Sequence, residues 1–300
     1  IEDSAHGIYL LESRGATIAK NTITGDLALR EARRGNGIHL FHSSGNRLEG
    51  NVIRSSRDGI YFSFSSGNEV VANDVAHVRY GLHYMYSDDN RFLGNRFRRN
   101  AAGAAIMFSK RIVFRDNVFS EHVGYRAYGI LLQTSSQIVA ERNRIEGNLV
   151  GLFLDNSTRN LFRGNAIIGN GTGVDLLTSA ESNTFTENVI VHNRTPVRSV
   201  IGGGENAWAL DGRGNDWGDR DVFDLDGDGI GDRPYEASDP FATLAALRPV
   251  LEIFSGTPAA RALSWAERAF PVFGLPTVTD PAPLVRPPAL APIAAQQEEG

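Results

Sequence analysis

Apolar and polar residues alternate in short stretches that recur along the first 240 residues. Each stretch opens with a Gly, and the first and third residues after it are apolar, as in Gly37-Ile-His-Leu-Phe41 and Gly129-Ile-Leu-Leu-Gln133. Alternation with a period of two is typical of a β-strand that buries one face. Two further apolar positions recur, eleven residues after the Gly and two after an Asn, so each unit predicts three short strands.

The units repeat with a period of about 22 residues. They begin at Gly7, Gly37, Gly59, Gly81, Gly103, Gly129, Gly151 and Gly173. Each unit carries an Asn fourteen or fifteen residues later: Asn21, Asn51, Asn73, Asn95, Asn117, Asn143, Asn165 and Asn188. Asn tolerates the left-handed backbone of a turn, and its amide can hydrogen-bond to an Asn in the next coil. The sequence therefore predicts an all-β, right-handed parallel β-helix over residues 1–240.

Irregular spacing and a change of composition mark the remaining parts. The extra residues 26–36 and 121–128 should protrude as loops, where solenoids usually place contacts. Residues 241–254 and 258–270 have the apolar spacing of two short helices, the first interrupted by Pro249. Repeated Pro residues beyond Phe270 exclude a regular element and predict an extended tail. Residues 241–300 are thus a short helical and Pro-rich C-terminal extension.

Composition and charge limit the possible partners and metal ligands of the protein. The chain has 30 Lys and Arg against 35 Asp and Glu, a net charge of -5, which argues against nucleic acid as a partner. Since there is no Cys, a soft metal would have to use Met and His. No stretch resembles a signal peptide or a membrane span, so we expect a soluble protein. It begins at Ile1 inside the repeat, as expected if an export signal or leading coils have been removed.

The outward positions of the first strand in each coil are unusually apolar and aromatic. The chain's two Met residues, Met85 and Met107, take the same outward position in adjacent coils, about 4.8 Å apart. His83 lies two residues before Met85 on the same face. Thioether and imidazole ligands suit Cu(I). His39, two coils away, offers a second copper station, and the alternative is that both thioethers only fill a groove or contact a partner.

Carboxylates on this face leave an enzymatic alternative open. Asp155 and Asp175 lie in adjacent coils near Gln133, and paired carboxylates can bind Ca²⁺ or act in a polysaccharide lyase or epimerase. The outward positions considered supply no Lys or Arg as a cationic base, and solvated carboxylates explain the pattern more simply. A purely structural adhesion rod is the third alternative.

The segment Asp224-Leu-Asp-Gly-Asp-Gly-Ile-Gly-Asp232 has the spacing of a calcium loop. Asp224, Asp226 and Asp228 alternate ahead of a Gly, and Asp232 completes the candidate ligand set. Tyr235 stands where the bidentate Glu of such loops is expected. A calcium site and a plain Asp/Gly turn are both left open.

The coils, the stretch Gly81-Leu-His-Tyr-Met-Tyr-Ser-Asp-Asp-Asn90 and the closing motif from Gly214 to Tyr235 resemble the NosD family over most of the chain. The resemblance implies a periplasmic accessory protein, peripheral to the membrane and not an enzyme. Such a protein binds copper transiently and assists assembly of the copper–sulfide centre of nitrous oxide reductase in denitrification. It implies three partners: an ABC-type permease and ATPase complex docked through the C-terminal extension, a copper chaperone lipoprotein, and the reductase.

Overall fold

The computed structural model describes residues 1–2, 6–177, 179–199, 205–218, 222–236, 241, 244–245, 248–254, 257–270 and 278–287. Three parallel sheets surround one apolar core, and the chain passes through one strand of each sheet per coil. Leu82 pairs with Ala104, 22 residues further along. The predicted all-β parallel β-helix is therefore confirmed. The predicted boundary at Pro240 lies outside the described residues.

The first sheet carries the candidate site. Its nine strands are β1 (Ile8–Leu11), β4 (Ile38–Phe41), β7 (Asp58–Ser63), β10 (Tyr80–Met85), β13 (Ala102–Met107), β16 (Tyr128–Gln133), β19 (Val150–Asp155), β22 (Thr172–Leu176) and β25 (Thr195–Ser199). The second sheet contains β2 (Thr17–Ala19), β5 (Arg47–Glu49), β8 (Glu69–Val71), β11 (Arg91–Leu93), β14 (Val113–Arg115), β17 (Val139–Glu141), β20 (Leu161–Arg163) and β23 (Thr184–Thr186). The third contains β3 (Thr22–Thr24), β6 (Val52–Arg54), β9 (Asp74–Ala76), β12 (Arg96–Arg98), β15 (Val118–Ser120), β18 (Arg144–Glu146), β21 (Ala166–Ile168) and β24 (Val189–Val191).

Stacked Asn side chains hold the turns together. Asn51 Nδ2 donates to Asn73 Oδ1 at 2.8 Å, and the same bond links each predicted Asn to the next as far as Asn188. Two more columns, which the sequence interpretation did not identify, run through Asn46 and Asn148. Because these amides are buried, each bond satisfies groups that would otherwise be costly to desolvate.

Both insertions protrude, as predicted. Residues 26–36 contain a 3-10 turn at Glu31–Arg33 and expose Leu27, whereas residues 121–128 expose Val123 and Tyr125. Each loop leads into the amino-terminal end of a strand of the first sheet, residues 26–36 into β4 and residues 121–128 into β16. They therefore border the face that carries the candidate ligands.

The C-terminal extension includes a 3-10 turn at Pro249–Phe254 and the helix α1 (Pro258–Ala269), whose first turn is capped by the Thr257 hydroxyl. Helix α1 confirms the second predicted helix, while the first falls partly outside the described residues. Among the helices of the described segments, none has the length and apolar character needed to cross a bilayer.

The Pro-rich segment differs from the prediction. Thr279–Asp280 forms a strand, β27, that pairs antiparallel with β26 (Tyr235–Glu236), so the expected absence of regular structure beyond Phe270 is wrong there. Asp280 is fully buried and its Oδ2 accepts from the backbone N–H and side-chain amide of Asn215 and from Trp217 Nε1. Asp280 thus takes the place of the next Asn and closes the column.

Candidate metal centre

The two Met residues of the chain occupy matching positions on adjacent strands of the first sheet. Strands β10 and β13 pair in parallel with Met85 opposite Met107 and His83 opposite Ala105. Leu82 and Tyr84 fill the core, so the alternating residues His83 and Met85 face outward, and all three candidate ligands are partly exposed. The strand register therefore places Met85 beside Met107 and His83 two residues earlier on the same face, and metal binding by these three residues stays a prediction.

His83 is oriented by a buried carboxylate. Its Nδ1 lies 2.9 Å from Asp58 Oδ2, and Arg79 holds the same carboxylate through Nε at 2.8 Å and Nη2 at 2.7 Å. Burial raises the pKa of Asp58, but the hydrogen bonds from His83 and Arg79 outweigh it and leave that pKa below its ordinary value. An ionised carboxylate only accepts, so His83 donates from Nδ1, and Nε2 is the ring nitrogen that remains to contact a metal.

Asp58 was missed in the sequence interpretation. It directly precedes the Gly of its coil and is the only acidic residue at that position among the eight units. An acidic residue at this position in one unit alone is the sequence feature that could have identified Asp58. Its contact with His83, one coil later, depends on side-chain direction, which the repeat alone does not supply.

His39 lies two strands from His83, and the ring of Tyr61 stands between them, with centroid distances of 4.5 and 4.7 Å. The structure therefore does not bring the two imidazoles into one site. His39 Nε2 is buried without a hydrogen-bond partner among the described residues. Burial, reinforced by the nearby His6, lowers the pKa of His39 to about 4, so its ring is neutral at pH 7.

Tyr61 also touches the candidate centre directly. Its hydroxyl lies 4.0 Å from Met85 Sδ and donates to the sulfur. Burial and the Asp58 charge raise the pKa of Tyr61, so the hydroxyl stays protonated at neutral pH. The hydrogen bond is long and uses one of the two lone pairs of the sulfur, so the thioether remains available to a soft ion.

An aromatic stripe borders the two thioethers. It consists of His42, Phe64, Tyr86 and Phe108, which stack at centroid distances of 5.1 to 5.2 Å. Each residue adopts positive φ in the turn after the first strand of its coil. The three carbocyclic rings are 42 to 47% exposed, and Tyr86 and Phe108 directly follow Met85 and Met107. These residues lie in turns, outside the alternating strand positions on which the sequence prediction rests.

The paired-carboxylate interpretation of this face is not supported. Asp155 lies opposite Gln133, whereas Asp175 lies opposite Phe153, so the two carboxylates do not face each other across the strands. Asp175 is fully buried and bound by Arg198, so it is not a solvated carboxylate as the simpler explanation assumed. This Arg lies on β25, which follows the last of the eight repeat units. The ion pair occupies Asp175, and the neighbour of Asp155 across the strands is Gln133 and not a second carboxylate.

The acidic loop brings three of its four predicted ligands together. Carboxylate oxygens of Asp224, Asp226 and Asp228 lie within 4.8 Å of one another. The same carboxylates accept backbone N–H groups of the loop, as an Asp/Gly turn does. Asp232 instead accepts from the Leu225 N–H. Calcium binding here stays a prediction.

A β-solenoid that presents two thioethers and an imidazole on one face of a sheet has the features of a metal-binding protein. Comparison with known proteins agrees. Residues 19–221 match the model of the family described as periplasmic copper-binding protein NosD. The chain belongs to the NosD family.

Two relatives share this assignment. The chain is 42% identical over 306 residues to a protein of Pseudomonas aeruginosa named a probable ABC transporter binding protein NosD, covering 97% of this chain and 71% of that protein. A protein of Stutzerimonas stutzeri with the same name is 42% identical over 307 residues, covering 97% of this chain and 70% of that one.

Among solved structures, a double mutant of the periplasmic alginate epimerase AlgG superposes with a TM-score of 0.53 at 17% identity. The match covers 73% of this chain and 61% of the length of the epimerase. Identity this low shows a shared fold and nothing about activity.

Proposed function

We propose that this protein is a periplasmic copper carrier that holds one Cu(I) on Met85, Met107 and His83 and assists assembly of the copper–sulfide centre of nitrous oxide reductase. The observation that carries the proposal is the pairing of the chain's two Met residues across β10 and β13, beside a His with a free Nε2. Two thioethers and one imidazole are soft enough to prefer Cu(I) to the hard ions. The metal is cargo, taken up and released by ligand exchange.

Transfer requires that a partner reach the ion. The candidate ligands are partly exposed, and the aromatic stripe beside them gives a partner an apolar surface to contact. A three-ligand site leaves a position through which a partner's own ligand can enter before the first ligands leave. We propose that the copper chaperone lipoprotein and the reductase meet the carrier on this face.

Copper binding can be tested with methyl-labelled Met, because the chain offers only two such signals. Titration of the full chain with Cu(I) should shift both methyl resonances together at one equivalent. Met85→Leu or Met107→Leu, which conserve volume, should each weaken copper binding at least tenfold while the unfolding midpoint stays near that of the wild type. A bicinchoninate competition assay measures the affinity.

The matched control is His192→Gln, which changes an exposed imidazole elsewhere in the fold. It should bind copper as the wild type does. Unshifted Met methyl signals at one equivalent, or equal copper affinity of the double Met variant and the wild type, would show that the ion binds elsewhere.

Asp58→Asn should weaken Cu(I) binding about tenfold, because the carboxylate fixes the tautomer and orientation of His83. The neutral amide still fits, but it no longer requires the proton to sit on Nδ1. The tautomer is measured by long-range ¹H–¹⁵N NMR of the His83 ring. If the Nδ1–H tautomer and copper affinity both survive the substitution, Asp58 does not position the ligand.

His39 offers a second station, as its buried Nε2 has no partner among the described residues and its ring is neutral. We propose that it takes a second, weaker Cu(I). His39→Leu should abolish the second equivalent in the titration and leave the first, held by the thioethers, unchanged.

The ABC-type permease and ATPase complex is proposed to bind the C-terminal extension, which exposes Trp265 and Phe270 at 67% and 73%. Replacing both residues with Ser should abolish co-purification with the complex and leave copper binding intact, because neither side chain is needed by the coils. Val123→Ser, an exposed apolar residue of an insertion loop, is the matched control. Unchanged co-purification of the double variant would exclude this docking face.

A further inference from the structure

Two clefts lie side by side on the first sheet, at the amino-terminal ends of its strands. The first, of about 310 Å³, opens between the two insertion loops and contains Tyr80 and Arg126. The second, of about 240 Å³, contains Phe153 and Arg194. Tyr125, which is 82% exposed, forms a wall of both clefts. Together they form a groove that crosses the coils from β10 to β25.

The groove contains four Arg residues and two carboxylates, Glu31 and Asp175, so its charge is positive even with Glu31 in the lining of the first cleft. Two of the Arg residues in the groove already form ion pairs, Arg79 with Asp58 and Arg198 with Asp175. Arg126 and Arg194 are exposed, and neither forms an ion pair with a carboxylate within the segments that the structure describes. Arg126 instead lies over the Tyr125 ring, 5.2 Å from its centroid. The Arg126 guanidinium also hydrogen-bonds to the Tyr80 side chain. Guanidinium groups that lack a carboxylate partner and lie beside aromatic rings favour a ligand that has both carboxylates and apolar faces.

The sheet also limits which kind of polymer can bind in the groove. Each inner strand of the first sheet hydrogen-bonds to the strand before and after it, so this face offers a peptide no backbone partners. It does offer rings, because Tyr128 and Phe153 lie on adjacent strands with their centroids 4.8 Å apart. A pyranose ring is about as long as the strand spacing of about 4.8 Å, so a polysaccharide can set one sugar against each coil.

We propose that this groove binds an acidic polysaccharide of uronate-type sugars. The carboxylates pair with Arg126 and Arg194, and the sugar rings pack against Tyr125, Tyr128 and Phe153. The chain is bound and not cleaved, because Asp175, the carboxylate on the floor of the second cleft, is locked in its ion pair with Arg198. This binding function is separate from the proposed copper site and does not depend on it.

The test uses the full copper-free chain and a defined oligogalacturonate, measured by calorimetry at two salt concentrations. Binding is expected, and it should weaken as salt rises. Arg126→Gln and Arg194→Gln should each lower the affinity about tenfold, as loss of a charge-assisted hydrogen bond does. Tyr125→Ala should lower it as well, because Tyr125 walls both clefts. All three side chains are exposed, so the variants should fold.

Three comparisons decide the result. The methyl-esterified oligosaccharide, which lacks the charges, should bind at least tenfold more weakly, and Arg14→Gln, an exposed Arg beyond the other end of β1, should bind as the wild type does. Equal binding of the neutral ester, or of the Arg126 and Arg194 variants, overturns the proposal. Polyglutamate that binds more tightly, with the same loss in both variants, would overturn it in favour of an acidic protein segment. Met85→Leu should not change any of these affinities.

Discussion

Asp280→Ala is expected to destabilise the protein by about 3 kcal/mol or more, which is the largest effect we predict for a single substitution. The carboxylate accepts from Asn215 twice, from Trp217 Nε1 and from the Ala282 N–H. Alanine leaves these donors buried without partners, and each costs about 1 to 3 kcal/mol. Thermal unfolding followed by circular dichroism, with hydrogen exchange at Asn215, measures the loss.

Two variants make this result specific. Asp280→Asn keeps one carbonyl oxygen for Asn215 and Trp217 but sets its amide against the Ala282 N–H, so it should lose less stability than Asp280→Ala. Glu236→Ala, in the paired strand β26, changes an exposed side chain and should be neutral. If Asp280→Ala unfolds at the wild-type temperature, residues 278–287 do not close the solenoid.

The contact between Asp280 and Asn215 determines which variants can test the role of the C-terminal extension. Truncation after Pro240 removes Asp280 and opens the end of the Asn column at Asn215. Loss of transporter binding in such a chain would confuse docking with unfolding of the last coils, since a solenoid depends on its end caps. Point substitutions at Trp265 and Phe270 avoid this problem because both side chains are exposed.

The regular part of the fold was predictable because its physics is local and repeated. A Gly recurs because the neighbouring coil leaves no room for a side chain: a Cβ at Gly81 would lie 2.7 Å from Gly103 O. An Asn recurs because its amide must join the next coil, as Asn95 joins Asn117. Both requirements return every coil, so they leave a period in the sequence that a single chain reveals.

The candidate site was predictable only in part. Met85 and Met107 follow from the register, which the repeat fixes. Asp58 contacts His83 across coils through side chains alone, and Asp280 reaches Asn215 across 65 residues. The chain between those last two residues has no period that would predict their contact. Long-range contacts made once leave no repeated signal, so they required the structure.

His122 occupies a position of the repeat that is Asn in the neighbouring coils. Nineteen residues after the Gly of successive coils stand Asn100, His122, Asn148 and Asn170. The ring occupies an Asn position, with its Nδ1 accepting from the Asn100 N–H as an amide oxygen does elsewhere. His122 Nε2 is buried without a hydrogen-bond partner among the described residues. Burial lowers the pKa of His122 to about 3.

His122→Asn is therefore expected to stabilise the protein by about 1 to 2 kcal/mol at pH 7, since it removes an unsatisfied N–H and restores an amide link. A second effect depends on pH. The folded-state pKa of about 3 lies below the unfolded value of about 6.5, so only the unfolded chain takes up the proton as pH falls. Between pH 7 and pH 5 this costs the wild type about 2 kcal/mol that the variant keeps. Urea unfolding at both pH values measures the difference.

Asn should fit at position 122, because the matching Asn in two other coils lies close to the corresponding Gly. A Cβ built on Gly129 would lie 3.1 Å from Asn148 Nδ2, and one built on Gly151 would lie 3.1 Å from Asn170 Nδ2. His77→Asn, at an exposed His, is the matched control and should leave the dependence of stability on pH unchanged. Equal losses between pH 7 and pH 5 in the wild type and in His122→Asn would mean that the buried ring is not the group that takes up the proton on unfolding. The acid sensitivity of the solenoid would then have to arise from other groups, first of all His39, whose pKa burial lowers to about 4.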